Sequence, residues 1–257
     1  MISFKTVSAI CLVSILLFSC QDSKPSGPDD SGLWIVTGNT LTDPDRNTYT
    51  TVTIGNQVWT VENLRTTKYN DGTAIPGPTF TTSQWSDLTT PAYCWYNDST
   101  GAAYRQKWGA LYNWYAVNTG KLAPAGWHVP TNAEWDTLKN YLLANGYNWD
   151  GTRGGNKIAK SMAAQTDWTN CSDEAGTIGK DPGKNNASGF SALPGGQRYP
   201  GSNFQLIGSN GYWWSATEYN ERNVKYRYLS CSYEDLCLTT YFKCCGVSVR
   251  LLRDSNF

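Results

Sequence analysis

The sequence predicts one α+β domain of short strands, two or three short helices and long loops, set behind an export signal. Three observations predict it. Apolar and polar positions alternate only over short runs, as in half-buried strands. The clearest helix signal, at Thr131, opens a single short apolar stripe. The stretches between are rich in Gly, Asn, Thr and Pro, the residues of turns and loops. The chain has 257 residues, a formal net charge of zero and 14% aromatic residues. Balanced charge removes any electrostatic reason to expect nucleic acid as a partner. Twelve Trp and sixteen Tyr supply area for a core or for a contact surface.

The N-terminus reads as a processing segment. Lys5 precedes an apolar run over residues 7–18, too short to span a bilayer comfortably. The run ends in Leu17-Phe18-Ser19-Cys20 and turns polar at Gln21. That ending resembles a bacterial lipoprotein processing site. It implies that residues 1–19 are a signal peptide, that Cys20 is the lipidated first residue, and that residues 20–32 tether the domain to a membrane. The expected location is the outer membrane, surface-exposed, with the periplasmic face as the alternative. Residues 33–257 then form the domain.

Residues 51–64 read as two short strands joined at Gly55-Asn56, with Val52, Ile54 and Val58 alternating. Residues 66–91 read as a long irregular loop, and residues 92–96 as a strand. Residues 109–117 are expected to form a short helix with Leu111, Trp114 and Tyr115 on one side. Thr131 is a good N-cap, and Glu134 completes a capping box. Trp135, Leu138, Tyr141 and Leu142 share one face of that helix, which should end near Asn145-Gly146. Residues 155–164 suggest another short helix. Residues 211–216, 225–231 and 247–252 read as strands, the last with Val247, Val249 and Leu251 alternating.

Five segments together resemble one family: IGNQVWTVENL at 54–64, AGWHVPTNAEWDTL at 125–138, ASGFSALPGGQR at 187–198, GYWWSATE at 211–218 and GVSVRLLRD at 246–254. The chain is identified as resembling the Fibrobacter succinogenes major paralogous domain of bacterial lipoproteins. Two of the segments are also similar to the C-type lectin fold of formylglycine-generating enzymes. The resemblance therefore implies a C-type lectin-like fold and no defined activity. Trp59, Trp127, Trp135, Trp213 and Trp214 lie inside these segments and are expected in the core.

Candidate chemistry is sparse. His128 is the only histidine, so a His-rich metal site is excluded by counting, and its place before a helix cap suggests a structural role. Asp167, Asp173, Glu174 and Asp181 could surround calcium but read better as a solvated loop. No cofactor is expected. Outside the signal segment the cysteines are Cys94, Cys171, Cys231, Cys237, Cys244 and Cys245, whose pairing the spacing leaves open. Formylglycine-generating enzymes bind copper through a C-terminal cysteine pair, and Cys231 with Cys237 is loosely similar, which makes a copper oxidase the enzymatic alternative. A polysaccharide-binding module is the second alternative.

The favoured expectation is not an enzyme but a surface-anchored adhesin or receptor-like protein that holds an extracellular protein or glycan. In CSYEDLCLTTYFKCC at 231–245, every residue except Glu234 and Lys243 can be encoded by a codon reachable from AAC by changing its adenines alone. That is the signature of a diversity-generating retroelement, which randomises adenines near the 3′ end of a gene for a C-type lectin-like protein. Cysteines there would be random draws rather than a disulfide framework. Tyr and Ser are also the residues antibody loops favour. The expected ligand contacts are Tyr219, Asn220, Arg222, Asn223, Lys225, Tyr226, Tyr228, Ser230, Ser232, Tyr233, Asp235, Leu238 and Tyr241. Alanine at Tyr226, Tyr228 and Tyr233 should then abolish binding without unfolding the domain.

Overall fold

The computed structural model describes residues 35–255, so the readings of the export signal, of Cys20 and of the tether fall outside the described residues. In chain order the strands and helices are β1 (Ile35–Thr37), β2 (Thr40–Thr42), β3 (Thr48–Ile54), β4 (Gln57–Thr60), α1 (Thr82–Ser86), β5 (Tyr93–Cys94), α2 (Ala102–Trp108), β6 (Leu111–Tyr112) and α3 (Trp114–Val117). They continue with α4 (Asn132–Ala144), α5 (Ala159–Met162), β7 (Gly195–Arg198), β8 (Phe204–Ile207), β9 (Asn210–Glu218), β10 (Asn223–Ser230), β11 (Cys237–Phe242) and β12 (Leu252–Asp254). Short helices beside mostly antiparallel sheet make this an α+β domain.

Two five-stranded sheets carry the fold, in the orders β1-β2-β3-β4-β12 and β11-β10-β9-β7-β8, with β5 and β6 as a separate pair. The β3–β4 hairpin turns at Gly55-Asn56, with Ile54 opposite Gln57. Gly55 adopts φ +65°, and a Cβ there would lie 2.8 Å from the Tyr141 ring. Glycine is needed on both counts. Tyr141 was expected with the buried stripe of α4, but it is 38% exposed and covers this turn instead. Trp135, Leu138 and Leu142 are buried as expected. The capping box forms: the Thr131 hydroxyl accepts from the Glu134 backbone, and the Glu134 carboxylate accepts from the Thr131 N–H.

The closing segment, residues 246–254, is the spine of the domain. Gly246 bridges Arg198, Val247 bridges Tyr112, Ser248 runs parallel to Trp213, and Leu252 bridges His128. Only its last three residues, β12, join a sheet ladder, against β4. The alternation at 247–252 implied one wet face, yet Ser248 and Arg250 are as buried as Val247 and Val249. The segment is threaded through the interior, so its polar side chains bond inward. Arg250 donates to the carbonyls of Thr60 (2.7 Å), Phe190 (3.1 Å) and Ser191 (3.1 Å) and to Asn63 Oδ1 (3.0 Å). Burial lowers its pKa to about 9, which still leaves it charged at neutral pH. Asn63 Oδ1 also accepts from Trp213 Nε1 at 2.9 Å. Three of the five sequence segments thus meet at one amide.

Other expectations shift with tertiary context. The helix expected over 109–117 splits into β6 and α3, because Tyr112 pairs with Val247 and the Asn113 side chain then caps α3 by accepting from Ala116 N–H. The loop at 66–91 contains α1, announced by an unread capping box, Thr81 with Gln84. The helix at 155–164 shrinks to α5. All five motif tryptophans are buried.

Strands β9 and β10 divide the core in two. Trp214 and Tyr226 are paired on one face, Trp213 and Arg227 on the other. The first face packs with Tyr112, Trp114, Val247 and Val249. The second packs with Trp59, Trp135, Leu138, Phe190 and Leu229 under α4 and α5.

Candidate functional site

The predicted contact segment, residues 219–245, forms the outer end of the second sheet. The turn between β9 and β10 is set by Asn220, whose Oδ1 accepts from the backbone N–H of Arg222 (3.0 Å) and Asn223 (2.8 Å), an arrangement its short amide favours. The connection from β10 to β11 is anchored more heavily. Leu236 exchanges hydrogen bonds with the Asn156 side chain, and Trp149 Nε1 donates to Glu234 Oε2 at 2.6 Å. Cys231 is bonded to Cys171 in a disulfide. The reading of these cysteines as unpaired random draws is corrected at that position. Cys94, Cys237, Cys244 and Cys245 carry free thiols.

Aromatic rings stack across the sheet towards this end. Tyr212 lies 5.7 Å from Tyr226 and 5.8 Å from Tyr228, and Tyr226 lies 5.0 Å from Tyr241. Tyr199 extends the row, 5.4 Å from Tyr241 and 6.4 Å from Phe242. Such tilted pairs favour a rigid surface. Burial pushes the phenols of Tyr212, Tyr226 and Tyr228 upward, and that of Tyr241 to about 12. All stay neutral, so the cluster offers ring faces and hydroxyls rather than charge. The Tyr241 hydroxyl accepts from Gln197 Nε2 at 3.2 Å.

The predicted contacts divide into three groups. Tyr219, Asn220, Arg222, Ser232, Tyr233 and Leu238 are exposed. Asn223, Lys225, Tyr228, Asp235 and Tyr241 are half-buried. Tyr226 and Ser230 are buried. Tyr226 sits under the cluster because β10 turns it towards Trp214. Its replacement by alanine would therefore destabilise the domain, contrary to the expectation that it would leave folding intact. The sequence reading missed Phe242, which is exposed beside Tyr241, and Tyr199, which comes from a loop far away in sequence. Phe242 lies inside the segment already singled out; nothing local marks Tyr199.

His128 Nε2 faces Glu134 Oε1 at 2.7 Å, so it braces the helix cap. That hydrogen bond raises the His128 pKa. Burial pulls Glu134 upward, but bonds from His128 and from the Thr131 backbone and hydroxyl outweigh it and lower its pKa. In the acidic stretch, Asp167 pairs with Lys107, Asp173 with Lys180 and Asp181 with Lys184. Each of these three carboxylates is paired with a lysine. Cys231, in its disulfide, cannot join Cys237 as a thiolate pair, and burial raises the Cys237 thiol to about 11. A thiolate, the form that binds copper, is therefore disfavoured there.

What fold and surface define is an α+β domain whose motif segments pack inside and whose edge hairpin carries exposed aromatic side chains. The Fibrobacter succinogenes major domain model matches residues 52–253, and the chain belongs to that family. No curated protein matches the chain. No solved structure matches it either.

Proposed function

We propose that this chain is a surface-anchored lipoprotein that binds an extracellular protein or glycan through the β10–β11 end of its second sheet. One observation carries the proposal. Of the nine large apolar side chains left exposed among the described residues, four, Tyr219, Tyr233, Leu238 and Phe242, come from this one segment. They line the edge hairpin, from Tyr219 and Phe242 at its Asn223 end to Tyr233 beyond Ser230, and apolar side chains concentrated along one edge favour a contact surface. Phe242 lies 6.4 Å from the half-buried Tyr241, which stacks in turn on Tyr226.

The Cys171–Cys231 disulfide supports an exported location, since disulfides persist in oxidising compartments. Lipidation at Cys20, a C-type lectin-like fold and retroelement diversification of the 3′ end belong to the same reading. A repeat of the gene's 3′ end near a reverse transcriptase, differing only at adenines, is what diversification requires.

The test is paired. A glycan array and a pull-down from candidate host extracts are run with the wild-type chain and with a Tyr219→Ala/Tyr233→Ala/Phe242→Ala variant. The variant should lose any target the wild type holds while its urea midpoint stays put. Undiminished binding by the triple variant sinks the proposal. Binding confined to polysaccharides selects the carbohydrate module over the adhesin.

A further inference from the structure

A second site lies away from the β10–β11 surface. A cleft of about 620 Å³ opens between the loop before β3, the segment after β4 and helix α2. Arg46, Arg65 and Arg105 all line it, together with Trp95. Its polar rim includes Asn47, Thr100 and Gln106. The one carboxylate in the lining, Asp45, is already engaged. Its Oδ2 accepts from the Thr67 hydroxyl at 2.8 Å, and its Oδ1 faces Lys68 Nζ at 3.2 Å. The neighbouring Asp43 is likewise consumed within its loop, by the backbone N–H groups of Asp45 and Asn47 and by the Tyr49 hydroxyl. Positive charge therefore predominates in the cleft.

Arg65 is the telling residue. It is 7% exposed, and its guanidinium lies 4.7 Å over the Tyr49 ring. Nη2 donates to the Thr48 carbonyl at 2.7 Å, but Nε and Nη1 have no hydrogen-bond partner. Among the described residues no carboxylate pairs with it. A buried guanidinium with two unanswered N–H groups is costly, and native proteins rarely keep one without a use. Arg105 is held ready beside it. Its Nε donates to the Ser99 carbonyl at 2.8 Å, and its plane lies 4.9 Å from the Trp95 ring. That stacking leaves the two terminal nitrogens for another acceptor. Guanidinium forks match planar oxyanions in geometry and charge.

We infer that this cleft binds a small acidic ligand of the sugar-acid kind. Its carboxylate is taken by Arg65 and Arg105, with Arg46 at the rim, and its hydroxyls are met by Asn47, Thr100 and Gln106. The site is independent of the C-terminal surface and stands or falls separately.

Calorimetric titration of the purified full chain with D-galacturonate, D-galactose and sodium sulfate tests it. Galacturonate should bind, and galactose, the same ring without the carboxylate, should not. Arg46→Gln and Arg105→Gln should each weaken galacturonate by about tenfold, the loss of one charge-assisted contact. Both positions reach solvent, so their urea midpoints should match the wild type. Raising the salt should weaken binding further. Equal binding of galactose, equal binding of sulfate, no binding of galacturonate, or variants that bind like the wild type would each overturn the assignment.

Discussion

On one face of β9 and β10, Trp213, Arg227 and Leu229 are sealed beneath α4 and α5. Even the charge is answered there: Arg227 Nη2 donates to Asp136 Oδ1 and Asn132 Oδ1, both at 2.8 Å. On the other face, burial fades along the sheet. Trp214 and Tyr226 are covered, and Tyr228 and Tyr241 are half covered. Both faces alternate with the same two-residue period. They differ in what lies above them. Helices cap the first over β9 and β10 but leave its edge strand open at Leu238 and Phe242, while the spine segment at 246–252 covers only the inner part of the second. Side chains on the capped face answer to packing, and those at the uncapped end are free to answer to a partner.

Substitutions can sharpen or break that contrast. The largest effect is expected at Trp213→Ala, which removes a buried ring and the bond to Asn63, and should cost about 4 kcal/mol in urea unfolding. Replacing both Cys171 and Cys231 by Ser should cost about 3 kcal/mol, because the bridge spans 60 residues and restrains the unfolded chain. A loss that small or smaller at Trp213 would mean the capped face is looser than described. Tyr226→Ala should cost about 3 kcal/mol by the cavity it leaves, whereas Tyr233→Ala should stay within about 0.5 kcal/mol. Equal costs at the two tyrosines would erase the gradient. Thr131→Ala removes the N-cap of α4 and should lower stability by about 1 kcal/mol, read from the same urea curves.

The smallest effect belongs to His128 and Glu134. His128 has a raised pKa, so its contribution is full below its ordinary value of 6.5 and is lost as pH rises through the higher folded value. Glu134 has a lowered pKa, so its contribution is full above 4.5 and is lost as pH falls through the lower folded value. The pair thus contributes fully between those two ordinary values and declines on either side. Both side chains reach solvent, so the amplitude should stay below about 1 kcal/mol. A His128→Gln variant should lose less stability than the wild type between pH 6.5 and 8. An unchanged slope would show that the pair does not titrate with folding.

Local chemistry was legible wherever a few neighbouring residues suffice. Thr131 with Glu134 announced α4, Gly55-Asn56 announced the first hairpin, and the five shared segments announced the family. The same kind of signal stands at Thr81 and Gln84, which cap α1. At the candidate surface, Tyr219, Tyr233 and Leu238 could be marked from composition, but Tyr226 could not be told from Tyr228. Both are tyrosines on the same face of one strand, and only the cover above each differs.

What the sequence alone determined is the class of domain, its shared segments and the neighbourhood of its outward-facing end, since these follow from propensity, capping and composition along the chain. Only the tertiary structure decided that Arg250 lies inside, that Cys231 bonds Cys171, that Tyr199 joins the aromatic row and that three arginines share a cleft. Each of those depends on residues distant in sequence coming within a few ångströms. Burial and charge pairing are properties of that approach, and no run of neighbours encodes them.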